Sequence, residues 1–208
     1  MGTAFDARRS VTLICGAQGK GKTSFALRYL LNSQARFLVF DPEGEYSRRL
    51  RVEPARTPCQ LETGWCAGVV CFDPSDIFQG DHRSAFAFFC EWCALMSDKT
   101  SSERKILVVD ELWRYCSPAS IPHELSEVTN AGRRKRLELV VISQRPNRLH
   151  GDVIASVSEA VVFGLASASS VECVEREFEL SGSEVRALAP LHYIAKNCDS
   201  GAILRGRL

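Results

Sequence analysis

A glycine-rich segment near the start, Gly16–Thr23, constrains this chain more than any other feature. It fits the phosphate-binding pattern G-x-x-x-x-G-K-[ST]. The apolar run Val11–Cys15 before it is typical of a buried parallel strand, and Ser24–Leu31 after it is typical of a helix. This order lets backbone N–H groups and a helix N-terminus converge on an anion. We therefore predict a nucleotide-binding loop rather than a glycine-rich turn that matches by chance.

The residues of this loop have different predicted roles. Its glycines permit backbone conformations that a Cβ atom would hinder. Lys22 can reach the β- and γ-phosphates, and the Thr23 hydroxyl can bind Mg²⁺. Lys20 either adds charge or is simply solvated. The residues predicted to contact the nucleotide are Gly16, Gly19, Lys20, Gly21, Lys22, Thr23 and Ser24.

Length and composition favour one α/β domain covering residues 1–208. The net charge of +1 does not by itself indicate a nucleic-acid binder, although local basic patches remain possible. No apolar run approaches the roughly 20 residues that a membrane helix needs, and Met1–Ser10 lacks the apolar core of a signal peptide. We expect an intracellular protein without a transmembrane segment of its own.

The 9 cysteines should be mostly reduced in such a protein. Cys90 and Cys93 form a CxxC pair, but Phe86, Phe89, Cys93 and Met96 recur at helical spacing, which favours core packing of both thiols. A zinc site would need a second pair of ligands. The remaining cysteines are too irregularly spaced to indicate one.

The second informative stretch is Ile106–Glu111, an apolar run that ends in two acids. It has the pattern of a buried Walker B strand, in which Asp110 would support Mg²⁺. Glu111 would polarise a water for attack on the γ-phosphate. Asp41, Glu43 and Glu45 follow another predicted strand, so they lie either at the ligand-binding edge of the sheet or in an ordinary polar turn.

Periodicity and turn signals give the rest of the α/β fold, which we expect to contain a mainly parallel central sheet flanked by helices. The predicted strands are Arg36–Asp41, Ala67–Phe72, Leu137–Ile142 and Ala160–Leu165, with two closing strands near Tyr193–Ala195 and Ala202–Leu204. The predicted helices are His82–Met96, two short ones within Leu112–Ala131, one containing Val171, Val174 and Phe178, and Ser181–Leu188. Ser47–Gly64 is expected to be a surface excursion, and Gly132–Arg136 a basic run leading into a strand.

Five motifs stand in one order along the chain, and together they resemble the HerA/FtsK superfamily of DNA-pumping ATPases. They are the phosphate loop, Asp41-Pro42-x-Gly44-Glu45-Tyr46, Val109-Asp110-Glu111, Gly132-Arg133 and Ser143-Gln144-Arg145-Pro146. The likeness runs from about Val11 to Leu204. It implies a RecA-like ASCE P-loop NTPase fold with a strand inserted between the Walker A and Walker B strands. It also implies ATP and Mg²⁺ as cofactors, and a ring, usually a hexamer, that draws double-stranded DNA through its channel.

The resemblance also implies roles for single residues. Glu111 would activate water and Gln144 would sense the γ-phosphate. Arg133 would be an arginine finger that reaches into the site of the neighbouring subunit, with Arg134 and Arg145 as alternatives. Thr23 and Asp110 would hold Mg²⁺.

We expect a bare motor core, without the extra barrel, membrane helices or winged-helix domain that cellular relatives carry. In this it resembles the genome-packaging ATPases of tailless icosahedral viruses with an internal membrane. That likeness implies sequence-independent pumping of DNA into a preformed capsid, in the host cytoplasm or at a virion packaging vertex. Capsid-vertex or viral membrane proteins would be its partners.

Three other functions remain open. A HerA/FtsK-like DNA-processing or virion-assembly ATPase would keep the motor but change its task. A small-molecule kinase or GTPase would share only the phosphate loop, but the guanine-reading N-K-x-D pattern is missing, since Lys196–Asp199 has the wrong order. A binding module with a vestigial site is disfavoured by the intact residues Lys22, Asp110, Glu111 and Gln144.

Overall fold

The computed structural model describes residues 11–100 and 102–208, and of Ala131 and Arg133 only the backbone. Met1–Ser10, the segment predicted to carry no signal peptide, lies outside the described residues. No helix within the described ranges is long and apolar enough to cross a membrane.

An eight-stranded sheet forms the centre of the described chain, in the order β3-β2-β4-β5-β1-β6-β7-β8. Strands β1 to β6 pair in parallel, whereas β7 and β8 are antiparallel. The predicted mainly parallel α/β fold is thus confirmed, and β5 lies between β1 and β4, as the resemblance implied. The strands are β1 Val11–Cys15, β2 Arg36–Phe40, β3 Val69–Phe72, β4 Lys105–Asp110, β5 Leu137–Ser143, β6 Glu159–Phe163, β7 His192–Asn197 and β8 Ile203–Arg207.

Helices cover both faces of this sheet. They are α1 Lys22–Asn32, α2 Glu45–Leu50, α3 Pro58–Ala67, α4 Ser75–Phe78, α5 His82–Lys99, α6 His123–Lys135, α7 Gly151–Ala155, α8 Ala168–Phe178 and α9 Gly182–Ala187. Two 3₁₀ turns occur at Leu112–Arg114 and Pro146–Arg148.

Alternate residues of each central strand belong to two different core clusters, as expected for a sheet buried on both faces. In β1, Leu13 packs in the cluster that includes α5 and α6, whereas Ile14 packs in the cluster that includes α1. This double burial explains why β1 and β5 are continuous apolar runs.

Cys90 and Cys93 of α5 are fully buried, and burial raises the pKa of both thiols well above its ordinary value. Both therefore pack in the core, as predicted.

Ser47–Gly64 is mostly exposed, as expected of a surface excursion, but it forms the end of α2 and most of α3, which that expectation missed. Pro58 occupies the first turn of α3, where a missing N–H costs nothing, and Thr57 and Gln60 form a capping box at its start. Leu61 and Trp65 of α3 are buried. Pro58 is therefore a helix-start signal.

The prediction of two short helices between Leu112 and Ala131 was wrong. The structure has a single 3₁₀ turn followed by one helix, α6, which continues through Lys135. The basic run is therefore the last turn of this helix, and Arg136 ends it with a left-handed φ of 49°. Gly132 lets the helix end pack closely, since a Cβ atom there would lie 2.4 Å from the Leu137 carbonyl oxygen. The other predicted elements are confirmed with shifted ends.

Candidate nucleotide site

The carboxyl ends of the central parallel strands meet at one edge of the sheet. Cys15 pairs with Ser143 and Asp110 with Ile142, so β1, β4 and β5 end at nearly the same level. A cavity of about 560 Å³ opens at this edge. The fold brings these predicted site residues together in its lining: Gly19, Gly21, Lys22, Thr23, Ser24, Asp110, Glu111 and Gln144.

The phosphate loop has glycines with a positive φ and leads directly into α1. Gly19 has a φ of 74°, and Gly21, the N-cap of α1, has a φ of 113°. The first turn of α1 contains no acidic residue, so its N-terminal partial charge is not offset there. This geometry suits a phosphate group.

Two of the loop residues predicted to contact the nucleotide do not line the cavity. Gly16 is buried under the loop, and a Cβ atom there would lie 2.6 Å from the Cβ of Phe163 in β6. The backbone N–H of Gly16 donates to the Ser143 carbonyl at 3.3 Å. The carbonyl of Lys20 accepts from the Leu191 N–H at 3.1 Å. These residues fix the loop to neighbouring elements.

Lys22 is folded back against the loop. Its Nζ donates to the Ala17 carbonyl at 3.1 Å, and the side chain is buried. Burial lowers the pKa of Lys22, while the carboxylates of Glu111 and Asp110 oppose this shift. The lysine therefore stands close to the two acids at the end of β4.

Asp110 is an acid with an unusual environment. Its pKa is raised to about 6, first by burial and then by the charge of Glu111, whereas Lys22 acts in the opposite direction. The hydroxyl of Tyr46 donates to Asp110 Oδ2 at 3.3 Å. Lys22 and Tyr46 thus compensate the negative charge of Asp110 only in part.

Glu111 adopts a left-handed conformation with a φ of 51°, so the backbone leaves the extended conformation of β4 at this residue. Its N–H donates to the Ile142 carbonyl at 2.8 Å. Its Oε2 accepts from the indole N–H of Trp113 and from the Gln144 backbone N–H at 3.2 Å. The predicted water-activating carboxylate is thereby held between the ends of β4 and β5.

The three acids after β2 have different roles. Asp41 is buried and caps α2, since its carboxylate accepts from the N–H groups of Tyr46 and Ser47 at 3.1 and 2.8 Å. Gly44 precedes α2 with a φ of 64°, as the predicted turn requires. Glu43 and Glu45 line the cavity. Asp41 lines the cavity too, so it holds the turn at the start of α2 and also lies at the cavity edge of the sheet.

Two arginines that line the cavity, Arg49 and Arg114, were not among the residues predicted for the nucleotide site. Arg114 forms an ion pair with Glu43, and Arg49 forms one with Glu45 at 2.9 Å. Both arginines belong to segments whose helical structure was not predicted correctly. Their position beside the cavity could therefore not be predicted either. Trp113 lies two residues after Glu111, and that short spacing was the available signal for its contact with the carboxylate.

Arg133 does not lie beside this cavity. Its backbone is in the last turn of α6, and the seven residues of β5 then separate it from Gln144. At about 3.3 Å per residue this is a distance of roughly 20 Å, which places Arg133 at the opposite edge of the sheet. Its side chain lies outside the described residues. Arg134 is exposed near the same edge, whereas Arg145 lies at the edge that carries the cavity.

The donor set of the cavity fits Mg²⁺. Hard oxygen donors suit this ion, which commonly binds one or two protein groups together with phosphates and waters. Thr23 and Asp110 both line the cavity and supply such oxygens. A cation there would also compensate the adjacent charges of Asp110 and Glu111.

No protein-family model matches the sequence, and no curated protein matches it. Solved structures are nevertheless similar in fold over nearly the whole chain, and three of them are described here. The genome packaging NTPase B204 of Sulfolobus turreted icosahedral virus 2, in complex with ATP-γ-S, has a TM-score of 0.78 at 18% identity and covers 98% of each chain.

The other two similar structures come from bacteria. VirB4 of Thermoanaerobacter pseudethanolicus has a TM-score of 0.72 at 13% identity, covering 98% of this chain and 90% of that chain. The bacterial conjugative coupling protein TrwBΔN70 has a TM-score of 0.69 at 11% identity, covering 100% and 86%. The fold is thus that of RecA-like P-loop NTPases, which confirms the fold prediction.

We expect Asp110→Asn to stabilise the nucleotide-free protein more at pH 8 than at pH 4. The pKa of Asp110 is about 6 in the folded chain against an ordinary 3.8, so the folded state holds the extra proton between these values. The free energy of unfolding therefore falls as the pH rises through this window, by up to about 3 kcal/mol. Urea unfolding at both pH values measures the difference.

Asp199→Asn, at an exposed carboxylate in the turn after β7, is the control. An equal effect of Asp110→Asn at both pH values would contradict a raised Asp110 pKa.

Proposed function

We propose that this protein is an ATP-driven DNA translocase, most specifically a motor that packages a viral genome into a preformed capsid. The observation that carries the ATPase part is the convergence of Lys22, Asp110, Glu111 and Gln144 on one cavity beside a glycine loop. The packaging part is supported by the fold likeness to B204, a genome packaging NTPase, over 98% of each chain. We further propose that residues 1–208 act as one motor domain.

Nucleotide binding uses the loop and the start of α1. The triphosphate lies against Gly19 and Gly21, where the helix N-terminus favours negative charge. Lys22 leaves the Ala17 carbonyl and binds the β- and γ-phosphates. Because Lys22 is already buried and close, the site needs only a local change of this side chain to accept the anion.

Hydrolysis needs a positioned base and compensation of the phosphate charge. Thr23 and Asp110 hold the Mg²⁺ ion, which neutralises charge on the phosphates when bound. Glu111 accepts a proton from the attacking water. Gln144 follows the neighbouring strand and contacts the γ-phosphate, so its environment differs before and after hydrolysis.

The subunits act as a ring, most simply a hexamer, in which each supplies an arginine to its neighbour. Arg133 is the first choice for this arginine. It lies at the opposite edge of the sheet from its own cavity, which is too far to act within its own subunit. A capsid vertex or viral membrane protein docks the ring, which works in the host cytoplasm or at the packaging vertex. A DNA-processing or virion-assembly motor is the second candidate, favoured by the fold likeness to VirB4 and TrwB.

We expect Glu111→Gln to retain ATP while hydrolysis falls by roughly 10²-fold or more, since a positioned base is lost. Lys22→Ala should fail to bind ATP, because the triphosphate loses its principal cation. Steady-state hydrolysis and binding of a fluorescent ATP analogue separate the two effects. Hydrolysis at the normal rate by Glu111→Gln would show that another group activates the water.

We expect duplex DNA to bind mainly through phosphate contacts and without sequence preference. The exposed groups Arg48, Arg49 and Arg51, and Arg145 and Arg148, offer local positive charge on a nearly neutral chain. Affinity, measured by fluorescence anisotropy on two unrelated duplexes, should fall with a modest slope between about 50 and about 200 mM salt. Strong preference for one duplex that is insensitive to salt would exclude a translocase.

We expect Arg133→Ala to bind ATP nearly normally but to hydrolyse it slowly, because an arginine supplied from a neighbour accelerates related reactions by about 10³ to 10⁵. Mixing it with Lys22→Ala should restore some hydrolysis, since Lys22→Ala subunits can lend their arginine to intact sites. Arg134→Ala is measured beside it, because Arg134 is the alternative finger at the next residue, and slow hydrolysis by Arg134→Ala alone would move the role to Arg134. Full activity in a strictly monomeric preparation would exclude a shared site.

A further inference from the structure

The side chain of Trp113 connects Glu111 to two exposed arginines, Arg145 and Arg148. We propose that Trp113 is a positioning residue that restrains Glu111 until a nucleic-acid phosphate backbone binds these arginines. The inference rests on the proposed function, since it takes Glu111 as the water-activating group and DNA as the partner. It adds a route by which DNA binding controls hydrolysis within one subunit.

The first step is the contact between Trp113 and Glu111. Trp113 lies in the 3₁₀ turn that follows Glu111, and buried Leu112 fixes this turn in the core. The Trp113 indole N–H and the Gln144 backbone N–H both donate to the same oxygen, Glu111 Oε2. These two donors fix the orientation of the carboxylate, so Glu111 is restrained while both contacts are made.

The second step is the contact between Trp113 and the arginines. The guanidinium carbons of Arg145 and Arg148 lie over the indole ring, 5.2 and 5.6 Å from its centre. Within the described ranges, neither guanidinium has a carboxylate within ion-pair distance. Both side chains are exposed, so their N–H donors remain accessible to phosphate oxygens.

The backbone that carries the two arginines is held rigidly. The Arg148 N–H donates to the Arg145 carbonyl at 3.0 Å, and the Arg145 N–H donates to Ser143 Oγ at 3.0 Å. Pro146, between them, is buried. A ligand on the arginines therefore moves their side chains rather than the loop, and the side chains are what cover Trp113.

These contacts differ in strength in a way that makes the link responsive. A cation over an aromatic ring at an exposed site is a weak interaction, whereas guanidinium–phosphate hydrogen bonds are charge-assisted and bidentate. A phosphate backbone therefore draws both guanidinium groups away from Trp113. The Trp113 indole, which the arginines no longer cover, then leaves Glu111. The carboxylate is released to act on the attacking water.

Trp113→Phe tests this link, because it keeps an aromatic ring and removes the N–H donor. We expect its hydrolysis rate without DNA to rise by about tenfold, the effect of losing one hydrogen bond to a charged group. The KM for ATP should stay within about twofold, and mixed-sequence duplex DNA should no longer accelerate the reaction. A purely structural role would lower the rate and leave the DNA effect intact.

The double substitution Arg145→Gln and Arg148→Gln tests the surface side of the link, and Arg186→Gln on α9 is its exposed control. The double variant should lose acceleration by DNA, whereas the control should keep it. In the wild type, duplex DNA should change the tryptophan fluorescence, and Trp113→Phe should abolish that change although Trp65 and Trp92 remain. This readout does not require hydrolysis.

The outcomes separate the inference from the function on which it rests. A wild type that hydrolyses ATP faster with DNA, together with a Trp113→Phe variant that behaves identically, would overturn the inference alone. A wild type that neither hydrolyses ATP nor binds DNA would overturn both. A Trp113→Phe variant with unchanged fluorescence response to DNA would also overturn the inference.

Discussion

Parallel pairing of β5 between β1 and β4 is the constraint on which the site depends. The pairs Cys15–Ser143 and Asp110–Ile142 bring the loops after three strands to the same height at one edge. A shift of one residue in either register would exchange the side chains that pack against the two layers of helices. The double burial of these strands therefore fixes the register, and the register fixes the distance between the phosphate loop and the two acids.

The parts of the fold predicted correctly from sequence are those with a strong local signal. Apolar runs of β1, β4 and β5 mark buried strands, and Gly16–Thr23 is specific enough to place a loop and a helix. The resemblance that the motifs carry also implied that β5 would lie between β1 and β4. These signals work because the strands are buried on both faces and the loop requires glycine at left-handed positions.

The errors arose where one residue type has two structural uses. Proline is favoured in loops and also at helix starts, and Pro58 stands at a helix start. For this reason α3 was not predicted as a helix. In the same way, the helix containing Arg133 was expected to end before its basic residues. The contact of Trp113 with Glu111 depends on a left-handed backbone at Glu111, which no sequence pattern specifies.

The binding of Leu191 to the phosphate loop has a mechanical consequence. Its N–H donates to the Lys20 carbonyl, and its carbonyl accepts from the N–H of Leu208, just after edge strand β8. Two short hydrogen-bonded links in series thus tie the loop to the outer rim of the sheet. These links limit movement of the loop, so an arriving triphosphate meets a loop whose position the sheet edge has already set.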